Sequence, residues 1–421
     1  MSSVAQPRRA LTREGWAALA SAPSPPLLAL WADAGDIFAL FIDDETAVLV
    51  STEIVDGGYP ALSPARPAAA WSERLVYDLW GYVAIGGSDA RPWLDHGRWP
   101  VTTPLAPRPG APRPAGPPEF RFHDSLDQLP IGPVRGGIEP AAHLRFAIDG
   151  ETVVGFEPLL GYSHKGTLGL MRGKSPRAAA RFAARIAGEA TVAHSLAFAR
   201  AAEAALGCEP PPRALALRDV MAGLEQIAGS LDRLTATAEA VGDQLLATRL
   251  ACHGEAARQS AGLAFGHRLM MDCVVPGGVA SDMATDGDAA ILRMLEDLAA
   301  ELPDLRLSGR LAGSDDAPQR PAVLGRRIRR AHDLVRAVPD GGLAVPLAAA
   351  SGEGLGFFAD DRGGHIGHWL RLDHGQIAGT FVYDAAWSRW QLLAAAVVGT
   401  RLDDLPQVLA AFELCSSGAD L

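Results

Sequence analysis

The fold is decided by residues 185–195, which read R-I-A-G-E-A-T-V-A-H-S. We predict that this stretch lies inside one long helix that begins at Ser175-Pro176 and ends at Gly207. Serine at the N-cap, proline in the first turn and glycine just beyond the last turn are the usual start and stop signals of a helix. Apolar side chains at three- and four-residue steps give this helix one stripe for close packing. The stripe consists of Phe182, Ile186, Ala190, Ala193 and Ala197.

Three polar residues interrupt that apolar pattern, namely Arg185, Glu189 and His194. Arg185 and Glu189 are four positions apart, so on a helix they share a face and can pair. Taken alone, the three residues fit two interpretations. One is a buried helix with a satisfied ion pair and a histidine on its surface, and the other is a functional site built on the helix.

Composition narrows the class of protein. A chain of 421 residues with 48% hydrophobic and 21% charged residues is typical of a soluble globular protein of about two domains. The net charge of -11 argues against a nucleic-acid partner. The four cysteines include no C-x-x-C pair, which favours a reducing compartment and offers no standard zinc or iron–sulfur ligand set.

Membrane insertion is not expected either. Residues 1–15 lack the apolar core of a signal peptide. The longest apolar run, at 392–398, falls short of the about 20 residues that a membrane-spanning helix needs. We therefore expect any contact with a membrane to be made through partner subunits.

The first 99 residues read as a small α+β module, followed by a linker. Short apolar runs broken by Ala34-Gly35 and Asp43-Asp44 predict antiparallel strands at 27–31, 37–42 and 47–50, flanked by helices at 11–20 and 68–80. Residues 100–118 carry eight prolines, a composition that favours extended chain. We therefore predict a module at 1–99, a linker at 100–119 and a second domain at 120–421.

The second domain reads as largely helical with β hairpins, so the predicted fold class of the chain is α+β. Heptad-like spacing of Leu217, Val220, Leu224, Ile227, Leu231 and Leu234 supports a core helix. This helix is predicted at 212–241, and further helices are predicted at 244–262, 289–302, 321–338 and, as the last one, 386–398. Strands are predicted at 144–148, 153–160, 355–359, 367–372 and 377–383. The glycine-rich residues 352–356 read as a turn, since they lack the spacing of a nucleotide-binding loop.

Residues 185–195 resemble the first metal-ligand motif of the [NiFe] hydrogenase large subunit, R-I-C-G-x-C-x-x-A-H-S. The two cysteines of that motif are Ala187 and Ala190 here. Four further blocks resemble the same family in the same order: 132–146, 161–166, 266–279 and 403–421. In the family the closing block holds a second C-x-x-C, of which this chain keeps Cys415 and has Gly418 at the other position.

The N-terminal module resembles the 30 kDa-type subunit of respiratory complex I, in which the matching segment is a docking element. The matching residues are Glu73, Tyr77, Asp78, Leu79, Gly81, Asp89, Arg91 and Leu94. The whole chain is thus similar to a fused 30 kDa-type plus 49 kDa-type subunit of complex I, or to the large subunit of membrane-bound [NiFe] hydrogenases of the formate-hydrogenlyase and hydrogenase-4 type. The resemblance implies the hydrogenase large-subunit fold, which the complex I quinone-site subunit shares.

The resemblance also implies which chemistry is lost. A Ni–Fe centre requires four thiolates, and only Cys415 remains, so we expect no metal in this chain and no hydrogen activation. Complex I instead binds a quinone headgroup, with a histidine at the position of Arg135. Arginine keeps its proton, so Arg135 can hydrogen-bond a quinone carbonyl but cannot protonate a reduced quinone. The second-helix block E-R-L-x-N-H is also degraded, since Glu225 is kept but Gly229-Ser230 replace Asn-His.

The resemblance names a set of candidate site residues, with Arg135 and His164 as quinone contacts. The set is Arg135, Glu139, His143, Arg145, His164, Arg185, Glu189, His194 and Arg268. Because the matching family positions converge near the metal, we predict that Glu139, Arg145, Arg185 and Glu189 form one buried polar cluster. Buried charges persist when they are paired.

The expected function follows from the resemblance. The chain is expected to be a subunit of a membrane-associated, hydrogenase-like or NADH dehydrogenase-like electron-transfer complex. Its partners would be a small iron–sulfur subunit, which carries the clusters, and membrane-arm subunits, on the cytoplasmic face of the cell membrane. A quinone is the one cofactor considered for the chain itself. The alternative is a scaffold without a ligand that docks the iron–sulfur subunit onto the membrane arm.

Overall fold

The structure is a computed structural model that describes residues 8–22, 25–43, 46–114, 116, 119–121, 126–134, 140–303, 320–359, 364–412 and 415–421. The chain forms two compact units. The first comprises Met1–Arg172 with Gly379–Leu421, and the second comprises Gly173–Ala378. This division by compactness differs from the modules predicted from composition and resemblance, which stay a prediction.

The first unit is built on a four-stranded sheet with the strand order β1-β4-β3-β2. Its strands are β1 (Arg9–Ala10), β2 (Leu27–Asp33), β3 (Asp36–Asp43) and β4 (Thr46–Glu53). Helix α1 (Arg13–Ser21) begins at Thr12, whose hydroxyl accepts the Gly15 N–H at 3.1 Å, and α2 is Ala69–Trp80. The predicted antiparallel strands and both helices are confirmed.

Aromatic stacking fills the core of this unit. The Trp31 ring stacks on Phe38 and on Phe381, with centroids 5.4 and 4.7 Å apart. The other strands of the unit are β5 (Gly58–Pro60), β6 (Val83–Ile85), β7 (Asp127–Ile131), β8 (His143–Asp149) and β9 (Thr152–Leu159). Its other helices are α3 (Thr167–Met171), α10 (Ala386–Ala396), α11 (Leu405–Phe412) and α12 (Ser417–Asp420). The expectation that the helix at 386–398 is the last one is wrong, because two short helices follow it.

Helices dominate the second unit. They are α4 (Pro176–Ala183), α5 (Thr191–Leu206), α6 (Pro212–Ala240), α7 (Gln244–Phe265), α8 (Gly287–Glu301) and α9 (Arg320–Arg336). The leucine-rich stripe predicted on α6 is buried in full and lies in the core that α6 shares with its neighbouring helices. Strands β10 (Val274–Val275) and β11 (Gly278–Val279) form a short pair. Strands β12 (Gly352–Ala359) and β13 (His365–Asp373) form a hairpin, and β14 (Gln376–Tyr383) continues into the first unit.

The long helix predicted around residues 185–195 is broken in the structure. Its predicted ends are confirmed, since the Ser175 hydroxyl accepts the Ala178 N–H at 3.3 Å and Gly207 ends α5 in the left-handed region with φ 61°. The prediction that one continuous helix joins these two ends is wrong. Helix α4 ends at Ala183, and a 3-10 turn at Gly188–Ala190 precedes α5.

A carboxylate from another helix explains the new start of α5. Ala190 offers no side chain that could cap this end. The Glu225 side chain of α6 accepts the N–H groups of Val192 and Ala193 at 2.6 and 2.9 Å. Such groups have no partner inside their own helix, and a negative charge beside them is favourable. A contact between two helices therefore decides where α5 begins.

Strand β12 packs directly on the backbone of α5, which corrects the prediction of a turn at 352–356. Glycines at alternate positions face α5 carbonyls that are four residues apart. The pairs are Gly352 with Ala205, Gly354 with Ala201 and Gly356 with Ala197. A Cβ at any of the three glycines would come closer than 3.0 Å to that carbonyl oxygen. The glycines therefore serve close packing of strand on helix.

Candidate functional site

The positions that match the first metal-ligand motif carry only methyl groups and are buried. Ala187 precedes the 3-10 turn and Ala190 is its last residue, and the two are 1% and 2% exposed. Their side chains contribute to packing and supply no donor atom for a metal. Burial suits these two positions, because the methyl group of an alanine needs no hydrogen-bond partner.

The positions that match the second motif lie in the first unit. Cys415 is partly buried. Gly418 lies in α12, and a Cβ built there would lie 2.8 Å from the Cβ of Asp384 and nearer still to its carboxylate. One thiol together with three positions that carry no donor does not provide the sulfur donor set of a Ni–Fe centre. The residues present therefore do not fit that group.

The C-terminal segment is held by a buried carboxylate, which sequence reasoning missed. Asp420 accepts the N–H groups of Gly161 and Ser163 at 2.7 and 2.8 Å. The backbone oxygen of Leu421 accepts those of Lys165 and Thr167 at 3.2 and 3.3 Å. Burial is the largest influence on this carboxyl and raises the pKa of Asp420 to about 6.

His164, the proposed quinone contact, is engaged by the same segment. Its Nδ1 lies 2.6 Å from the carbonyl oxygen of Asp420, so Nδ1 carries the proton and donates it. Its ring stacks on Trp99 with centroids 4.7 Å apart. Burial lowers the pKa of His164 and thus favours the neutral form of the ring. The remaining Nε2 is then an acceptor.

The predicted buried cluster of Glu139, Arg145, Arg185 and Glu189 is wrong. Arg185 is 47% exposed at its side chain and holds both carboxylate oxygens of Asp272 at 2.6 and 2.8 Å. Glu189 is exposed. The break between α4 and α5 places Arg185 and Glu189 outside one continuous helix, so the two do not share the helix face on which their pairing was predicted.

Arg145, the third member of that cluster, belongs to the first unit. Arg145 is half-buried, donates to the Gln128 side chain at 2.9 Å and lies over the Phe120 ring at 4.2 Å. Neighbouring His143 meets the same ring edge-on, with centroids 5.1 Å apart, and burial lowers its pKa. Arg135 and Glu139 lie outside the residues that the structure describes.

His194 is fully buried rather than on the surface. Its Nδ1 lies 3.1 Å from Nε2 of His368 on β13, and the two rings meet edge-on. His368 also meets Phe198 edge-on, with centroids 5.7 Å apart. The histidine of the motif thus links α5 to the β12–β13 hairpin. Across the described residues, no three His, Cys, Asp or Glu side chains gather as they would around a metal ion.

A small pocket of about 40 Å³ opens beside the start of α5. It brings together Gly188 and Glu189, the helix-capping Glu225, and Arg268. These residues come from three separate blocks of the resemblance. Arg268 pairs with Glu255, and Asp232 at the pocket wall pairs with Arg258. Asp232 and Arg258 thus pair within the pocket lining, whereas Arg268 pairs with a residue outside the lining.

The P-G-G-V block at 276–279 is a structural element. Glu203 and Arg218 form a buried ion pair at 2.5 Å. Glu203 accepts the Gly277 N–H at 2.8 Å, while Arg218 donates to the carbonyls of Gly278 and Val275 at 3.0 and 2.8 Å. Sequence reasoning missed this pair, because nothing local joins residues on α5 and α6 to the loop.

Residues of the docking signature in the N-terminal module make hydrogen bonds and ion pairs inside the first unit. Glu73 accepts the N–H groups of Leu62 and Ser63 at 2.6 and 3.0 Å. Asp78 accepts those of Trp93 and Leu94 at 2.7 and 2.8 Å. Asp89 and Arg91 pair with each other, and Arg91 also pairs with Glu157 on β9.

The proline-rich segment is partly anchored to the fold. Leu105 is buried, and Arg113 donates to Asp78 at 2.9 Å. Tertiary contacts therefore fix parts of the predicted linker, although its composition favours extended chain.

A protein-family model described as nickel-dependent hydrogenase matches residues 165–231, which span α4, the 3-10 turn, α5 and much of α6. Hydrogenase-4 component G of Escherichia coli (strain K12) is 26% identical over 258 residues, 59% of this chain and 46% of that protein. This part of the chain is similar to the nickel-dependent hydrogenases. It spans about half the length of these curated relatives.

The relatives extend to complex I-type proteins. An NADH-quinone oxidoreductase component of Roseiflexus castenholzii (strain DSM 13941 / HLO8) is 31% identical over 167 residues, 39% of this chain and 39% of that protein. Among solved structures, a chain of the membrane-bound sulfane sulfur reductase, an archaeal respiratory membrane complex, matches with a TM-score of 0.61. The two chains are 16% identical, and the match covers 72% of this chain and 100% of that chain. The predicted α+β fold of hydrogenase large-subunit type is confirmed. In the described chain, no helix is both long and apolar enough to cross a bilayer.

Proposed function

We propose that this chain is a subunit of a membrane-associated, hydrogenase-like or complex I-like electron-transfer complex and that it carries no Ni–Fe centre of its own. The relatives, which are components of hydrogenases and of NADH-quinone oxidoreductase, support the first part. One observation carries the second part: positions 187, 190 and 418 bear no donor atom, and Asp384 fills the space beside Gly418. Hydrogen activation is therefore assigned to no residue of this chain.

The proposed partners follow from the same relatives. They are a small iron–sulfur subunit, which holds the clusters, and membrane-arm subunits that attach the complex to the cytoplasmic face of the cell membrane. Nucleic acid is not among them, since the net charge of -11 repels a polyanion.

Between a scaffold and a quinone site, the geometry favours the scaffold. A quinone carbonyl accepts hydrogen bonds, so a residue that contacts it must donate one. The proton of His164 is already directed at the Asp420 carbonyl, and the ring is stacked on Trp99. The side chain proposed for the quinone thus holds the C-terminal segment in place.

Isolation of the complex from its native membrane tests the assignment. The tagged chain, extracted in mild detergent, should retain an iron–sulfur subunit and membrane-arm subunits in constant ratio, with far less than one nickel per chain by metal analysis. A hydrogenase large subunit matured in the same cells is the control for nickel delivery. A chain that elutes alone, or that carries about one nickel as a closed thiolate site enforces, contradicts the proposal.

A thermal shift with a short-chain quinone separates the two roles. The scaffold role predicts no shift in the intact complex beyond that of a His164→Ala complex. A shift that the His164→Ala substitution abolishes would instead establish a quinone site.

A further inference from the structure

Gly418 has no room for a side chain, and the three atoms nearest to it belong to one neighbour. A Cβ built on Gly418 would lie 2.8 Å from Asp384 Cβ and nearer still to Cγ and Oδ2 of the same residue. Real Cβ atoms essentially never lie within 3.0 Å of another heavy atom of this kind. Gly418 is not among the residues with positive φ, so backbone conformation does not require a glycine there. The Asp384 side chain requires it.

Asp384 is itself fixed in place. It is 1% exposed, and its Oδ1 accepts the Ala386 N–H at 2.6 Å at the start of α10. The Arg389 guanidinium lies 3.9 Å from the same oxygen. A buried carboxylate with a backbone donor and a nearby cation is costly to displace. A side chain at position 418 therefore has to compete with a well-anchored group.

Hydrogen bonds seat the segment around Gly418 on both sides. Before it, the Trp390 indole N–H donates to the Cys415 carbonyl at 3.1 Å. After it, Asp420 accepts from Gly161 and Ser163, and the backbone oxygen of Leu421 accepts from Lys165 and Thr167. Residues 418–421 are all buried as a result. Protein groups thus provide the contacts that hold this segment.

We infer that Asp384 occupies the volume that a ligand side chain at position 418 would need, and that Gly418 and Asp384 form a compensating pair. Carboxylates and backbone groups fix the C-terminal segment where a metal-binding side chain would otherwise stand. Replacing Gly418 with cysteine would not restore a ligand, since its Cβ collides before its sulfur is placed. The link to a ligand position rests on the proposed function, whereas the steric coupling of the two residues does not.

A double-mutant cycle on the full chain tests the coupling by thermal unfolding. Gly418→Ala should lower Tm by roughly 2–6 °C, as overpacking does in a rigid core. Gly223→Ala is the control, because a Cβ on that helical glycine meets only an ordinary neighbour at 3.7 Å. In an Asp384→Ala background, which removes the two nearer atoms, Gly418→Ala should cost much less. In an Asp384→Asn background, which keeps the size, it should cost as much as in the native chain.

Two results would overturn the pairing. One is a Gly418→Ala variant with the same Tm as the Gly223→Ala control. This result contradicts the pairing even if Asp384→Ala does not fold. The other is an equal cost of Gly418→Ala in the native and Asp384→Ala backgrounds. Nickel in the native complex would refute the proposed function and leave the pairing intact, so the two failures are distinguishable.

Discussion

Glu225 accepts the backbone N–H of Val192 at 2.6 Å, so a carboxylate on α6 defines the first turn of α5. The glutamate that the second-helix block retains is therefore a helix cap in this chain. Its position beside the 3-10 turn at Gly188–Ala190 also makes it a wall of the pocket at that end of the helix.

Replacing Glu225 tests this cap. Glu225→Ala should lower the free energy of unfolding by about 1–2 kcal/mol, because two N–H groups at the helix start lose their acceptor. Glu225→Gln keeps one acceptor oxygen and should lose less. Chemical denaturation measures both, with the exposed Glu239→Ala on the same helix as the control. Equal stability of Glu225→Ala and Glu239→Ala would contradict the capping role.

Gly354 should tolerate no side chain. Gly354→Ala places a methyl group against the Ala201 carbonyl, and neither a helix backbone nor a paired strand can move away easily. We expect a loss of about 1–3 kcal/mol or more in unfolding free energy. Gly223→Ala, in the middle of α6, serves again as the control and should be neutral or stabilising. Unchanged stability of Gly354→Ala would mean that β12 lies farther from α5 than the structure places it.

Two arginines should differ sharply in their contribution to stability. Arg185→Ala removes an exposed bidentate pair with Asp272 and should cost less than about 1 kcal/mol. Arg218→Ala leaves Glu203 buried without its cation and should cost about 3–5 kcal/mol. Urea denaturation of both variants provides the comparison. A large loss of unfolding free energy in Arg185→Ala would contradict the exposed pair and favour the buried cluster that the resemblance predicted.

Asp420 should make stability fall as pH rises. Its folded pKa of about 6 lies above the value of about 3.9 of an unfolded aspartate, so the folded chain binds the proton more tightly. Its ionisation therefore opposes folding and lowers the unfolding free energy by on the order of 3 kcal/mol. This penalty is absent below about pH 4 and fully present above about pH 6. Asp420→Asn removes the titration.

The measurement is the unfolding free energy of native chain and variant from pH 4 to pH 7. The difference between them should change across this window in favour of the variant at higher pH, whatever the constant cost of the substitution. Asp404→Asn, at an exposed carboxylate, is the control. A constant difference between the native chain and Asp420→Asn would show that this carboxyl does not titrate there.

Local patterns in the sequence were sufficient for most elements of the fold. Ser175, Pro176 and Gly207 marked the true ends of the α4–α5 region, because capping depends on residues within one turn of the helix end. The leucine stripe of α6 identified a core face, because burial follows helical periodicity. The replacements at Ala187, Ala190 and Gly418 likewise needed no coordinates, since a donor atom is either present in a side chain or absent.

Contacts between residues distant in sequence decided the rest. Glu225 caps a new helix start through the N–H of Val192, where the local pattern predicted a continuous helix. Arg185 pairs with Asp272 at the surface and not within the predicted buried cluster. Glycines that read as a turn form a strand, because a helix backbone lies against them. Asp384 and Gly418 are 34 positions apart, and no periodicity relates them. Their fit is a matter of shared volume, which only the folded chain defines.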